Sequence, residues 1–265
     1  MAMLHLTATA DHAPVRLQIR DIGPADLKDA LACGFDDFLT MPTHIVFLCV
    51  IYPIIGLVLG RLAFAYDVLP LLFPLMTGFM LVGPFAAIGL YELSRRREQG
   101  LETSWTDAFD VLGSPSVAAI AALGFLLMLI FVVWLAVADW IYVATFGDEA
   151  AASIGDFLDQ ILTTSPGWKL IIFGNGIGFL FAVTVLTISV VSFPLLLDCD
   201  VGVVTAILTS IRVVSRNSVA MFLWGLIVAS LLFIGSVLFF VGLAVVVPVL
   251  GHSTWHLYRK TVITA

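Results

Sequence analysis

Residues 217–258 read NSVAMFLWGLIVASLLFIGSVLFFVGLAVVVPVLGHSTWHLY, a run of 42 positions without Asp, Glu, Lys or Arg. As a single helix rising 1.5 Å per residue it would be about 63 Å long, roughly twice the hydrocarbon core of a bilayer. The run therefore reads as two spans folded back on each other, 219–239 and 243–260, with the turn near Phe239–Gly242. Four further charge-free stretches, 38–60, 68–91, 111–138 and 170–197, are each long enough for one crossing. The expected fold is all-α: a polytopic transmembrane helical bundle of six spans, at about 43–64, 68–92, 115–138, 170–197, 219–239 and 243–260.

Composition points the same way. Of 265 residues, 61% are hydrophobic and 12% charged, where a soluble domain has about 45–50% and about 25%. The mean hydropathy is +1.10. So few charges cannot cover a water-exposed surface of this size, so the bilayer is the first partner of the chain. A net charge of −7 without a basic block leaves no electrostatic footprint for nucleic acid. Residues 1–23 read as a flexible cytoplasmic segment and 24–262 as the membrane domain. The first forty residues contain no apolar signal-peptide core, so the first span is expected to direct insertion.

Cationic residues set the orientation. With both termini in the cytoplasm, the inner segments hold Arg16, Arg20, Lys28, Arg95, Arg96, Arg97, Arg212, Arg216, Arg259 and Lys260, and the outer ones only Arg61 and Lys169. Ten against two satisfies the positive-inside rule, and an odd number of spans would strand one basic group outside. Cys33 and Cys199 then face the cytoplasm and Cys49 lies in the first span; with no C-x-x-C pair, neither a disulfide nor a zinc site is expected.

Short amphipathic segments separate the spans, at about 24–40, 104–113, 150–164 and 201–216. Leu27, Leu31, Phe35 and Phe38 follow Pro24; Trp105, Ala108, Phe109 and Leu112 follow the capping pair Ser104/Asp107; Val204, Ile207, Leu208 and Ile211 follow Asp200. Each set recurs at helical spacing, as in a helix lying in the membrane interface. The outer segment has Phe157, Leu158, Ile161 and Leu162 on one face and Asp156 and Asp159 on another. The order of interfacial helix, span, outer turn and span occurs three times, as three hairpins. Pro84 and Pro248 are followed at equal offsets by Tyr91, Leu93, Arg95, Arg96 and by Trp255, Leu257, Arg259, Lys260. With Pro194 in the fourth span, these prolines are expected to kink the even-numbered helices.

Several stretches resemble a bacterial inner-membrane family known as domain of unknown function 2189. They are Val82–Phe85 with Tyr91–Arg96, Ser192–Asp198 with Ala206–Arg212, and above all Leu250–Arg259, so that the resemblance extends over roughly residues 25 to 262. It implies a polytopic helical membrane protein and assigns no activity.

Ionisable groups at membrane depth are functional candidates by default. His252 and His256 stand four apart on one helix face; with His44 and Glu92, which fall at a similar depth, they form a candidate metal, haem or proton site. The competing reading has His256 and Glu92 reaching the headgroups near Arg259 and Arg95, and His252 hydrogen-bonding a neighbouring helix. Asn175 is the most polar residue deep in the fourth span and a candidate solute contact, although Gly174, Gly178, Ala182, Ser189 and Ser192 beside it suit helix packing. No nucleophile elbow, His-Glu-x-x-His or phosphate-cradling loop is present. The expectation is a non-catalytic accessory or scaffolding protein of the bacterial inner membrane, not an enzyme, without a cofactor. Its partners would be other membrane proteins or a second copy of itself. A small-solute transporter or channel is the alternative, and a metal or haem protein through His252/His256 the weaker one.

Overall fold

The structure, a computed structural model, describes residues 17–41, 74–75, 78, 83–147, 154–237 and 242–264. The expected first span, with His44, Cys49, Gly56 and Gly60, lies outside the described residues, as does most of the second. In order, the chain forms β1 (Leu17–Ile19), α1 (Pro24–Thr40), α2 (Gly83–Ala86), α3 (Ile88–Glu98) and a 3-10 helix (Trp105–Gly113). It continues with α4 (Val117–Phe146), α5 (Ile154–Thr163), α6 (Ser165–Ser189), α7 (Ser192–Asp198), α8 (Val203–Arg216), α9 (Ser218–Val237), α10 (Leu243–Thr261) and β2 (Val262–Thr264).

Among the described residues, three helices are long and apolar enough to cross a membrane: Val117–Phe146, Ser165–Asp198 and Ser218–Ser236. The protein is thus an all-α, membrane-type bundle. α4 and α6 pack antiparallel, with α5 at their far end; Trp134 meets Phe181, and Tyr142 meets Phe157. The visible part of the second span runs antiparallel to α4, Phe85 lying against Gly124 and Trp134 Nε1 donating to the Pro74 carbonyl at 3.0 Å. Only 28% of the apolar window of α4 and 22% of that of α9 is buried within the protein.

α4 has 30 residues and passes through Asp139, the expected end of a span at 115–138; α6 likewise starts before Lys169. Backbone signals, not the charges, end the helices: Gly147 with φ 78° closes α4, and Thr164 caps α6 by accepting from Gly167 N at 3.1 Å. The fold-back read from 217–258 is present. A Cβ on Gly242 would lie 2.7 Å from the Gly235 Cα, so α9 and α10 meet backbone to backbone beside the turn.

The prolines act unequally. Pro84 sits in the one-turn α2, separated from α3 at Ala87, whereas Pro248 is buried inside α10, which runs unbroken. The interruption between α6 and α7, at Val190–Val191, has two causes. Pro194 offers no N–H to the Val190 carbonyl. In addition the Ser210 hydroxyl of α8 inserts into the preceding turn, donating to Thr187 O at 2.8 Å and accepting from Val191 N at 3.3 Å.

Two expectations are corrected. The segment at 104–113 is a 3-10 helix, so Trp105, Phe109 and Leu112 stay exposed while Val111 turns inward; with three residues per turn the expected single stripe divides. Residues 17–23, expected within a flexible tail, are pinned. β1 pairs antiparallel with β2, Gln18 opposite Ile263, and the buried Asn217 side chain accepts from Ile22 N at 2.8 Å and donates to Arg20 O at 3.1 Å. Residues 17–19 and 262–264 therefore lie together, at the same end of the bundle as the core around Trp224, Trp255, Tyr258 and Phe193.

Candidate functional site

α1 is the arm of the site. Pro24 opens it, Asp26 Oδ2 accepts from Gly23 N at 2.9 Å as a cap, and Leu27, Ala30, Gly34, Asp37 and Phe38 form its buried face along α10. That spacing carries a carboxylate, Asp37, into the interior, where it is 3% exposed. A buried charge needs compensation, and Asp37 is met from two helices. Ser94 Oγ of α3 lies 2.6 Å and His256 Nε2 of α10 lies 2.8 Å from Oδ2, and Arg97 binds Oδ1.

The basic triplet of α3 is deployed by helical rotation, about 100° per residue. Arg95 forks onto Glu92 with two bonds of 2.8 Å, Arg96 reaches Asp110 at 2.8 Å, and Arg97 takes Asp37 and also Asp36 at 2.7 Å. At the end of α10, Arg259 bridges Glu98 (3.0 Å) and Asp198 (3.2 Å), Lys260 pairs with Asp29, Trp255 Nε1 donates to Glu98 at 3.0 Å, and the Tyr258 hydroxyl donates to Asp198 at 2.7 Å. Most of the cations counted above for orientation thus also hold carboxylates of the protein itself.

His252 Nδ1 lies 2.7 Å from Ser94 Oγ. The single hydroxyl proton of Ser94 goes to the Asp37 carboxylate, so the imidazole must be the donor in the second contact, with its proton on Nδ1. Burial pushes the Asp37 carboxyl up, yet the bonds from His256 and Ser94 and the charge of the two histidines outweigh it, bringing the group down to about 2. Near neutral pH Asp37 is therefore held as the carboxylate and accepts from its neighbours. Ser94, His252 and Asp37 are the residue types of a hydrolytic triad in the reverse proton order: serine donates to aspartate and accepts from histidine. In a nucleophilic triad the imidazole takes the serine proton. With Ser94 1% and His252 0% exposed, the arrangement ties three helices together and offers no reachable nucleophile.

The sequence candidates separate here. His252 and His256 do meet, on Asp37; Glu92 is 2% exposed and lies apart from them, on Arg95. His44 lies outside the described residues. Among the described residues, no group of three or more His, Cys, Asp or Glu is placed to hold a metal ion. Asn175 is on the exposed side of α6, its Nδ2 turned back to the Ile171 carbonyl at 2.8 Å. Sequence reasoning missed Asp37, Ser94, Arg97 and Asn217. The signal for Asp37 was available: it stands seven residues after Ala30, on the same helical face.

Beside the network, between α3, the 3-10 helix, the entry to α4 and the end of α7, lies a pocket of about 540 Å³. Its charged lining is Glu92, Arg95, Arg96, Asp110, Asp198 and Asp200.

Residues 71–198 match the model of the family described as predicted integral membrane protein, DUF2189. That stretch belongs to the family. The match bears out the resemblance and covers the second span, α3, α4, α6 and α7; the Leu250–Arg259 motif lies beyond it. No curated protein and no solved structure matches the chain. The protein is an integral membrane protein, similar over residues 71–198 to a family without an assigned activity.

Proposed function

We propose that this protein is a non-catalytic accessory protein of the bacterial inner membrane. It scaffolds another membrane protein or a second copy of itself, with both termini in the cytoplasm. The observation that carries this reading is the closed order of the Asp37–Ser94–His252 network: its acid, hydroxyl and imidazole satisfy one another in the interior, so they contribute shape and rigidity. Rigid at one end, the protein presents largely uncovered apolar helices, α4 and α9, along the bilayer. The β1–β2 pairing supports an even number of crossings, and the ten-to-two distribution of cations supports the cytoplasmic side for both ends. Transport has less support, because Asn175 faces outward.

Crosslinking in intact cells followed by purification in mild detergent tests the proposal. A stoichiometric membrane partner or a defined homo-oligomer is expected. Repeated recovery of a lone monomer, with no crosslinked species through α4 or α9, counts against it.

A further inference from the structure

α8 joins two apolar helices of crossing length: the α6–α7 span ends at Asp198, before it, and α9 begins at Ser218, after it. Ser210 ties the middle of α8 to Thr187 and Val191, inside the first of these spans rather than beyond its end. α8 therefore lies beside one end of both spans.

At about 100° per residue, the surface of α8 divides lengthwise into three sectors. Ala206, Thr209, Ser210 and Val213 are buried against the protein. Val204 and Leu208 point away from it, 61% and 46% exposed, with Ile207 and Ile211 half-buried at their side. Thr205, Arg212 and Arg216 are exposed along the third sector, between the other two. This polarity is the reverse of a helix packed on a soluble core: small and hydroxyl side chains face the protein, and the larger aliphatic ones face out. Water disfavours such a face, whereas the boundary of a lipid leaflet accepts it. α1, expected to be of the same kind, instead buries Leu27 and Phe38 along α10. Of the two cations beside the apolar ridge, Arg216 is taken by Asp21, and Arg212 has no ion pair among the described residues.

We propose that α8 is seated in the lipid leaflet at this end of the bundle, Val204 and Leu208 at the acyl boundary and Arg212 on the phosphodiester of an anionic phospholipid. The apolar ridge continues the apolar surface of α9, which α8 enters through Asn217, so one lipid phase covers both. A zwitterionic headgroup brings its own cation beside the guanidinium; an anionic one does not. The seat is independent of whether the protein scaffolds a partner.

Two measurements on the full-length protein test it. Leu208→Cys and Thr205→Cys, each in a chain whose natural cysteines are replaced by serine, carry a nitroxide in vesicles of phosphatidylcholine and phosphatidylglycerol. Collisions with oxygen are expected to dominate at position 208 and collisions with a water-soluble nickel chelate at 205. Dominance of the chelate at 208 overturns the seat, and so does protection of 208 from both reagents, which would mean that protein covers it. In native mass spectrometry from detergent, phosphatidylglycerol is expected to be retained about fivefold better than phosphatidylcholine of the same chains. Arg212→Gln, at an exposed position, is expected to lose that preference and Arg212→Lys to keep it. Equal retention of the two lipids or an unchanged preference in Arg212→Gln overturns the lipid contact. Displacement of the lipid by soluble glycerol phosphate at equal concentration does the same, since the ligand would then be a free solute.

Discussion

Gly34 of α1 lies directly on Ser253 of α10: a Cβ built on the glycine would stand 2.1 Å from the serine Oγ and 2.5 Å from its backbone nitrogen. α1 and α10 are clasped by this contact, and it brings Asp37, three residues further on, within reach of His256. Gly34→Ala must push the helices apart. A loss of about 2–3 kcal/mol is expected, measured as a lower thermal midpoint in detergent. Gly174→Ala in α6, with open space around its added methyl, should be neutral or slightly stabilising.

Asp37 accepts from three side chains on two other helices. Asp37→Asn leaves Arg97 and His256 without their shared anion and should cost about 3 kcal/mol or more. Ser94→Ala, which removes one neutral link, should cost about 1–2 kcal/mol. The double variant is expected to be less destabilised than the sum, because both changes break one network. Additive losses would show that Ser94 and Asp37 act separately.

The same carboxylate sets an acid limit. Its value of about 2 lies below the ordinary 3.8, so its contribution is complete above about pH 4 and disappears as the pH falls through 2. That gap is worth about 2 kcal/mol by linkage. Thermal midpoints between pH 5 and pH 2 should fall less steeply in Asp37→Asn than in the natural protein. Parallel slopes would contradict the assignment.

At the α6–α7 break, Ser210 and Pro194 depend on each other. Ser210→Ala removes the hydroxyl standing between Thr187 O and Val191 N, and should cost about 1–3 kcal/mol for the two groups it abandons. Adding Pro194→Ala restores the missing N–H, so the helix can close across the break. The double variant is expected to recover part of the loss in denaturant titrations. Pro194→Ala alone should leave the break in place.

Gln18 and Ile263 face each other across the strand pair. Cysteines at these two positions, in a chain whose natural cysteines are replaced by serine, should form a disulfide under mild oxidation, since paired strands bring Cα atoms to about 4.5–5.5 Å. An impermeant thiol reagent applied before oxidation then reports the side of the membrane: protection in intact cells is expected for cytoplasmic ends, and labelling there would refute the orientation.

The membrane character, the helical class and the fold-back within 217–258 follow from local quantities, the lengths of apolar runs and the places of charges, because a bilayer imposes one length scale on every span. Charges were poorer guides to where helices stop. α4 runs on past Asp139 and α6 starts before Lys169, because a helix outside the hydrocarbon tolerates charge. His252 and His256 could be placed on one face from their spacing, but their acceptor could not: Asp37 is 219 residues from His256 in the chain, and only the packing of α1 on α10 joins them.

By itself, the chain's hydropathy and cation pattern determined that it lives in lipid, in helices, with its basic segments gathered at one end. The tertiary structure decided what those cations do: Arg97, Arg95 and Lys260 spend their charge on Asp37, Glu92 and Asp29. It also decided that serine, histidine and aspartate form a closed clasp, because proton direction depends on which donors converge on one buried carboxylate. That convergence is a property of three packed helices, and no stretch of any one of them contains it.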